Sequence, residues 1–430
     1  MRHPLSIWFV LFTLHTIHGS IKNNLSGSSY SRIESEKTTV YKEKTPWVSA
    51  YKSLRAEPRT DVISLYFQYV LPVDLLNITL GTGSTLTQGN AMATLEAGTE
   101  TIVTSTVTTK KAVNYSPGHE ISTFFTALFS TTDADGGHHT RYIGMFTQDD
   151  GLAIGYQNNT FGVLYMQNGT ATFTPQSNFN LDKLDGTGKS NFVIDPTKLN
   201  IFYIAYGWLG AAPLEFGVCT ENGTWVPFHR IPYPNLYAIP SLLNPSLPIA
   251  MAVSKNNSGS GSLSISTASW DATLTGKENS MRIHTATQEA KTISNTTFVP
   301  ILSLKNKTTY AHKTSSARMR LLYANFSGYS AGNQMRIRFY KEPTLSGASF
   351  SDIDSMLSVA QKDTSATSFS STGTLVFQTS VYSQSNANLF FKENGINIEL
   401  YPGEILSLAG AESGSGGVTM DASLAWEELL

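Results

Sequence analysis

Charge is scarce in this chain. Its 430 residues hold 30 Lys and Arg and 32 Asp and Glu, 14% of the total, against roughly 25% in an ordinary soluble domain. The formal net charge is −2, so the basic excess of a nucleic-acid reader is missing and nucleic acid is not expected as a partner. A single cysteine, Cys219, excludes an intramolecular disulfide framework and any cysteine-based zinc site. A chain this long can bury enough surface to do without such staples. Cys219 is therefore expected as a buried structural residue of a strand, with an intermolecular disulfide as the sharper alternative. There is no G-x-S-x-G elbow, no P-loop, no H-E-x-x-H and no C-x-x-C, so the sequence points to no catalytic residue, metal or cofactor. Self-similarity at a period of roughly 20–50 residues is also missing, which argues against a propeller or solenoid.

What is present favours strands. Hydrophobic residues reach 40%, with 6 Trp, 19 Tyr and 22 Phe, and Gly stands at 33. From Asp61 onward, β-branched and aromatic runs alternate with Gly, Asn and Asp turns: 62–70, 99–111, 122–129, 142–146, 152–156, 161–166, 200–206, 214–219 and 225–231. The turns Gln148-Asp149-Asp150-Gly151, Asn168-Gly169 and Asn222-Gly223 are hairpin signals. Regular strands so punctuated predict an all-β fold with two antiparallel β-sandwiches in tandem, jelly-roll or concanavalin-like. The first is expected over 61–276. A polar linker is expected over 277–297, and the second sandwich over 298–430.

The two ends of the first sixty residues read differently. Arg2 and His3 precede an apolar run over 5–14, and Gly19-Ser20 follow. A basic tip, about ten apolar residues and a small-residue exit predict a signal peptide over 1–20. The run is too short to span a bilayer, which takes about twenty residues. The segment 21–60 lacks apolar periodicity and carries eight Lys and Arg against four Glu. It is a basic polar arm, either a solvated tether or a device that docks on a partner. N-x-S/T sequons stand at Asn24, Asn77, Asn114, Asn158, Asn168, Asn222, Asn256, Asn295, Asn306 and Asn325. Asn168 and Asn222, in Asn-Gly turns, are the favoured glycan acceptors, and Asn114 the least favoured.

Four carboxylates deserve testing as a glycosidase pair. Asp149 and Asp150 sit in a turn motif, and Asp182 and Asp185 flank Gly186-Thr187-Gly188. Turn chemistry alone accounts for Asp at such places. His138-His139 follow Asp133 and Asp135, but the spacing fails the calcium-loop template. Trp208, between a strand and the Gly210 turn, is expected as a structural anchor. Most aromatics alternate along strands and are expected in the core.

An ordered set of blocks carries a resemblance. Asn114-Tyr115-Ser116-Pro117-Gly118 is followed by Arg141-Tyr142-Ile143-Gly144-Met145-Phe146. Next come Asp182-Lys183-Leu184-Asp185-Gly186-Thr187-Gly188-Lys189-Ser190 and Gly207-Trp208-Leu209-Gly210. The tail has Leu345-Ser346-Gly347-Ala348-Ser349-Phe350 and Leu424-Ala425-Trp426-Glu427. Over roughly residues 88–430 the chain resembles a virion structural protein family of tailed phages and large DNA viruses. The leader and the sequons depart from that pattern and point to a eukaryotic secretory route. The resemblance implies a particle role and no reaction. The expectation is thus a non-enzymatic virion structural or surface glycoprotein, reached through the secretory pathway. Its partners would be its own copies (a trimer, by analogy with viral surface proteins), other virion proteins and host surface glycans, the last in host attachment. Two alternatives stand beside it: a secreted lectin-like carbohydrate-binding protein and a polysaccharide-active hydrolase.

Overall fold

Alternation of buried and outward residues sets the architecture. In the strand Asn200–Gly207, Phe202, Ile204 and Tyr206 are buried, while Ile201, Tyr203 and Ala205 face the other way. A side-chain period of two gives each strand one face for a core and one for its surroundings, and taking a Phe or Ile fully out of water contributes about 1.5–3 kcal/mol. The computed structural model describes residues 59–98, 102–130, 139–207, 209–256, 263–278, 282–294, 296–328, 334–382, 385–414 and 416–430. The expected signal peptide, nearly all of the basic arm and Trp208 lie outside them. Among the described residues there is no α-helix, and residues 59–430 form one compact unit.

The first sandwich has a nine-stranded and a seven-stranded sheet. The nine-stranded sheet runs from Trp225–Ile231 through Leu214–Cys219 and Asn200–Gly207 to Glu120–Phe129, where Ser269–Thr275 and Arg59–Tyr66 continue it. The seven-stranded sheet centres on His139–Phe146, Leu247–Asn256 and Ile102–Val113. Phe125, Phe129, Phe202 and Phe216 from one layer meet Ile143, Met145, Met251 and Val253 from the other in a continuous core. The stretch 264–275 is broken at Ala268 into Ser264–Thr267 and Ser269–Thr275. The Thr126 hydroxyl accepts the N–H groups of Ala268 and Ser269 at 2.7 and 3.3 Å, so the chain steps sideways there without losing its donors.

The second sandwich corrects the linker expectation. Residues 277–297 are mostly the strand Arg282–Ile293, paired with Val418–Leu429 in a five-stranded sheet. Only Ala286 and Ile293 of this strand are buried. It lies at a sheet edge and leaves the core to its neighbour, so its sequence is polar and imitates a linker. A six-stranded sheet of Ser351–Asp352, Ala360–Asp363, Val299–Asn306, Ile405–Glu412, Gln334–Lys341 and Thr374–Tyr382 closes the other side. Trp426, Phe326, Phe339, Leu304 and Leu408 fill the space between.

A buried ion network joins the two sandwiches. Arg318 is fully buried at the start of the strand Arg318–Gly328. Its Nε donates to Asn114 Oδ1 of the first sandwich at 2.9 Å, its Nη1 to Glu399 Oε1 at 3.2 Å, and its Nη2 to Glu278. Asn114 Nδ2 in turn donates to the Leu429 carbonyl at 2.9 Å. Arg320 adds bonds to Glu399 at 3.0 Å, Glu427 at 2.9 Å and Glu278 at 3.2 Å. Lys111 of the first sandwich lies 3.7 Å from Glu399, and Lys110 lies 3.5 Å from Glu404. Burial alone would push the Glu399 carboxyl up, but Arg318, Lys111 and Arg320 overcome it and hold the group at about 2.

Candidate functional site

Among the described residues most aromatics lie in or against the core, but three gather on the outward face of the nine-stranded sheet. Phe124 on Glu120–Phe129 sits opposite Tyr203 on Asn200–Gly207, and Tyr203 sits opposite Gly217 on Leu214–Cys219. Gly217 leaves the room the ring needs: a Cβ there would lie 2.0 Å from the Tyr203 ring. Trp225, at the start of the edge strand Trp225–Ile231, leans over the gap. Its ring centroid is 5.4 Å from both Tyr203 and Phe124, at 76° and 65°, and Phe124 and Tyr203 are 6.2 Å apart. Phe124 and Tyr203 are half-buried, and Trp225 is 44% exposed.

Charged groups frame this platform. Tyr203 OH donates to Glu215 at 2.8 Å, and Arg230 Nε donates to the same carboxylate at 3.0 Å. Burial and the Glu215 charge push the Tyr203 hydroxyl well above the ordinary phenol range, so it stays a donor. Asp271 faces outward beside Phe124 in the ladder, and the Arg59 guanidinium lies 5.8 Å from the Phe124 ring centre. Burial and the neighbouring Asp61 raise the Asp271 carboxyl against the pull of Arg59. The result is an apolar ring surface bordered by fixed hydrogen-bonding groups.

Neither a family profile nor a curated protein matches the chain. Among solved structures, it is similar to an endo-1,3-beta-glucanase from Streptomyces sioyaensis at 10% identity and a TM-score of 0.37, over 52% of this chain and 100% of that one. Arcelin-5 from Phaseolus vulgaris, a lectin-like defense protein, gives 8% identity and 0.33 over 51% and 99%. Lectin I-B4 from Griffonia simplicifolia gives 13% identity and 0.31 over 49% and 99%.

Three of the four carboxylates singled out in the sequence accept from backbone N–H groups. Asp150 is buried and accepts from the N–H groups of Leu243 at 2.9 Å, Asn244 at 3.1 Å and Asn168 at 3.4 Å, tying three turns together. Asp182 is buried too and accepts from Leu184 N at 3.0 Å and Ser190 N at 2.8 Å. Asp185 is exposed and accepts from the backbone and hydroxyl of Thr187 at 2.9 and 2.6 Å, which lowers its carboxyl below the ordinary range. Asp149 is an exposed turn residue. His139 is buried in the strand His139–Phe146, whereas His138, Asp133 and Asp135 lie outside the described residues. Among the described residues no cluster of three or more His, Cys, Asp or Glu could hold a metal.

The sequons divide by burial. Asn77, Asn158, Asn168, Asn222 and Asn256 are exposed. Asn325 is half-buried, with its amide bonded to Asn388. Asn24 and Asn295 lie outside the described residues. Asn114 and Asn306 are corrections to the expected acceptor set. Both are buried, and Nδ2, the atom a glycan would occupy, is taken: Asn114 donates to the Leu429 carbonyl, and Asn306 to the carbonyls of Ala317 at 2.8 Å and Leu400 at 3.0 Å. Protein from eukaryotic cells should therefore carry glycans at Asn168 and Asn222 and none at Asn114 or Asn306. Peptide mapping by mass spectrometry checks this, and a glycopeptide at either buried site would contradict the packing.

Cys219 ends its strand half-buried rather than buried, with Sγ against the Thr220 carbonyl at 3.7 Å. One open groove of about 530 Å³ lies on the second sandwich, lined by Thr287, Glu289, Asn325, Ser327, Asp421 and Ser423 among others. Asp421 is tied up there with the Ala290 N–H at 2.8 Å. The groove has no ring to stack against, so the aromatic platform is the stronger site. Sequence reading missed that platform because alternating aromatics usually mean core. The available signal was phase: Tyr203 stands between the buried Phe202 and Ile204, and therefore on the opposite face.

Proposed function

We propose that the protein is a non-enzymatic carbohydrate-binding protein that seats a neutral glycan on Phe124, Tyr203 and Trp225. The observation that carries this reading is three partly exposed rings held in contact on a sheet face, beside oriented polar groups. The C–H faces of a sugar are apolar and its rim is hydroxylated. A ring surface with acceptors at its edge matches both halves, since Tyr and Trp combine an apolar body with a polar tip. Asp61, Asp271, Glu120 and Glu215 stand on this face against Arg59 and Arg230. The excess of carboxylates accepts from sugar hydroxyls and repels sialylated or sulfated chains. A place on a virion, where the platform would meet host glycans, rests on the sequence resemblance alone.

A glycan array probed with the full chain tests the reading. Asn222→Gln should be included, so that a glycan three residues from Trp225 does not shield the rings. Neutral glycans should bind and be recovered uncleaved. Trp225→Ala should weaken binding at least about tenfold, as expected for an aromatic anchor, with an unchanged melting temperature. An array without neutral hits, or a Trp225→Ala protein that binds like the wild type, sinks the proposal.

A further inference from the structure

Residues 364–391 contain no Asp, Glu, Lys, Arg, His or Pro, in a chain that is 14% charged. Within them lie the terminal strands of both sheets of the second sandwich: Thr374–Tyr382 ends the six-stranded sheet, and Asn386–Phe390 ends the main path of the five-stranded one. An edge strand offers unpaired N–H and C=O groups to any strand that meets it, and proteins usually blunt such edges with charge, proline, bulges or brevity. Two other long edges follow that rule. Arg282–Ile293 carries Arg282, Glu289, Lys291 and a bulge, and Trp225–Ile231 carries Pro227, Arg230 and a bulge. Thr374–Tyr382 has only a bulge at Val376, which leaves Phe377 through Tyr382 in unbroken register with Gln334–Lys341. Leu375 and Tyr382 on it are 44% and 70% exposed, and Phe390 nearby is 46% exposed.

We propose that Thr374–Tyr382 is a dimerisation edge that pairs antiparallel with the same strand of a second copy, joining two six-stranded sheets across a twofold axis. The absence of charge selects this occupant. In a twofold contact the residues at the axis face their own copies, so a charge near the middle of the strand meets its own sign. A foreign partner would set no such requirement, since a charged edge could be answered by its complement. Twofold pairing gives a dimer, where the analogy with viral surface proteins suggested a trimer. The proposal is independent of glycan binding.

Light scattering on the full chain over a wide concentration range tests it. The wild type should reach the mass of a dimer. Gln378→Lys with Ser380→Lys, both exposed positions, places like charges across the axis and should lower the mass about twofold, with unchanged circular dichroism. A second measurement does not depend on how that variant folds. In a Cys219→Ser background, Gln378→Cys or Ser380→Cys should form a disulfide-linked dimer under mild oxidation. A monomeric wild type, an oligomer that the lysine pair leaves intact, or the absence of cross-linking at both positions overturns the proposal.

Discussion

Replacing Arg318 by Ala should lower stability by about 3–5 kcal/mol, the range found when one partner of a buried ion pair is removed. The side chain is fully buried and bonds Asn114, Glu399 and Glu278. Its loss leaves two carboxylates with less compensation and one buried amide oxygen without its donor. An unsatisfied buried group costs its full desolvation, which exceeds the net worth of the bond that was lost. Arg318→Lys should not rescue the loss. An ammonium on a flexible stem cannot present the planar fork that reaches three acceptors at once. Arg320→Ala should cost less, since Arg320 keeps 19% of its side chain in contact with solvent. Chemical denaturation of the three variants provides the ranking. The decisive part is Arg318, because its guanidinium spans the two sandwiches: denaturation of Arg318→Ala should separate into two transitions if the network is what couples them. Wild-type stability in Arg318→Ala would refute this role.

How much of this was legible beforehand depended on the physical signal involved. Strands such as Asn200–Gly207 and Leu214–Cys219 were readable because each has an alternating face and a turn at its end. The edge strand Arg282–Ile293 was not, since a strand with only two buried side chains has no apolar period to find. The joint was hidden for a different reason. Arg318 and Asn114 are 204 residues apart, and a charge in a sequence reads as solvated until its partners are known. Asn114 stood in the acceptor set, though least favoured, because its sequon is local and its burial is not. The platform was half visible. Phase separates Tyr203 from its buried neighbours, but only the register of four strands brings Phe124 and Trp225 to it.

The same joint should loosen in acid, and Glu399 sets the window. Its carboxyl is held at about 2 in the fold, against an ordinary value of 4.5. A depressed carboxylate binds fewer protons folded than unfolded. Its stabilisation is complete above 4.5 and falls away as the pH drops towards 2. The gap corresponds to about 3 kcal/mol. Neutral Glu399 would no longer answer Arg318, Lys111 and Arg320, and Glu278 and Glu427 would be left to balance three cations at the seam. Glu399→Gln separates this group from every other carboxylate. At neutral pH the variant should be less stable than the wild type by about the same 3 kcal/mol, because the amide keeps the shape and loses the charge. Below pH 4.5 the two stability curves should converge, and near pH 2 they should nearly meet. Denaturant titrations at a series of pH values measure both curves. Parallel curves down to pH 2 would show that Glu399 keeps its proton affinity on folding, and the electrostatic account of the joint would fail.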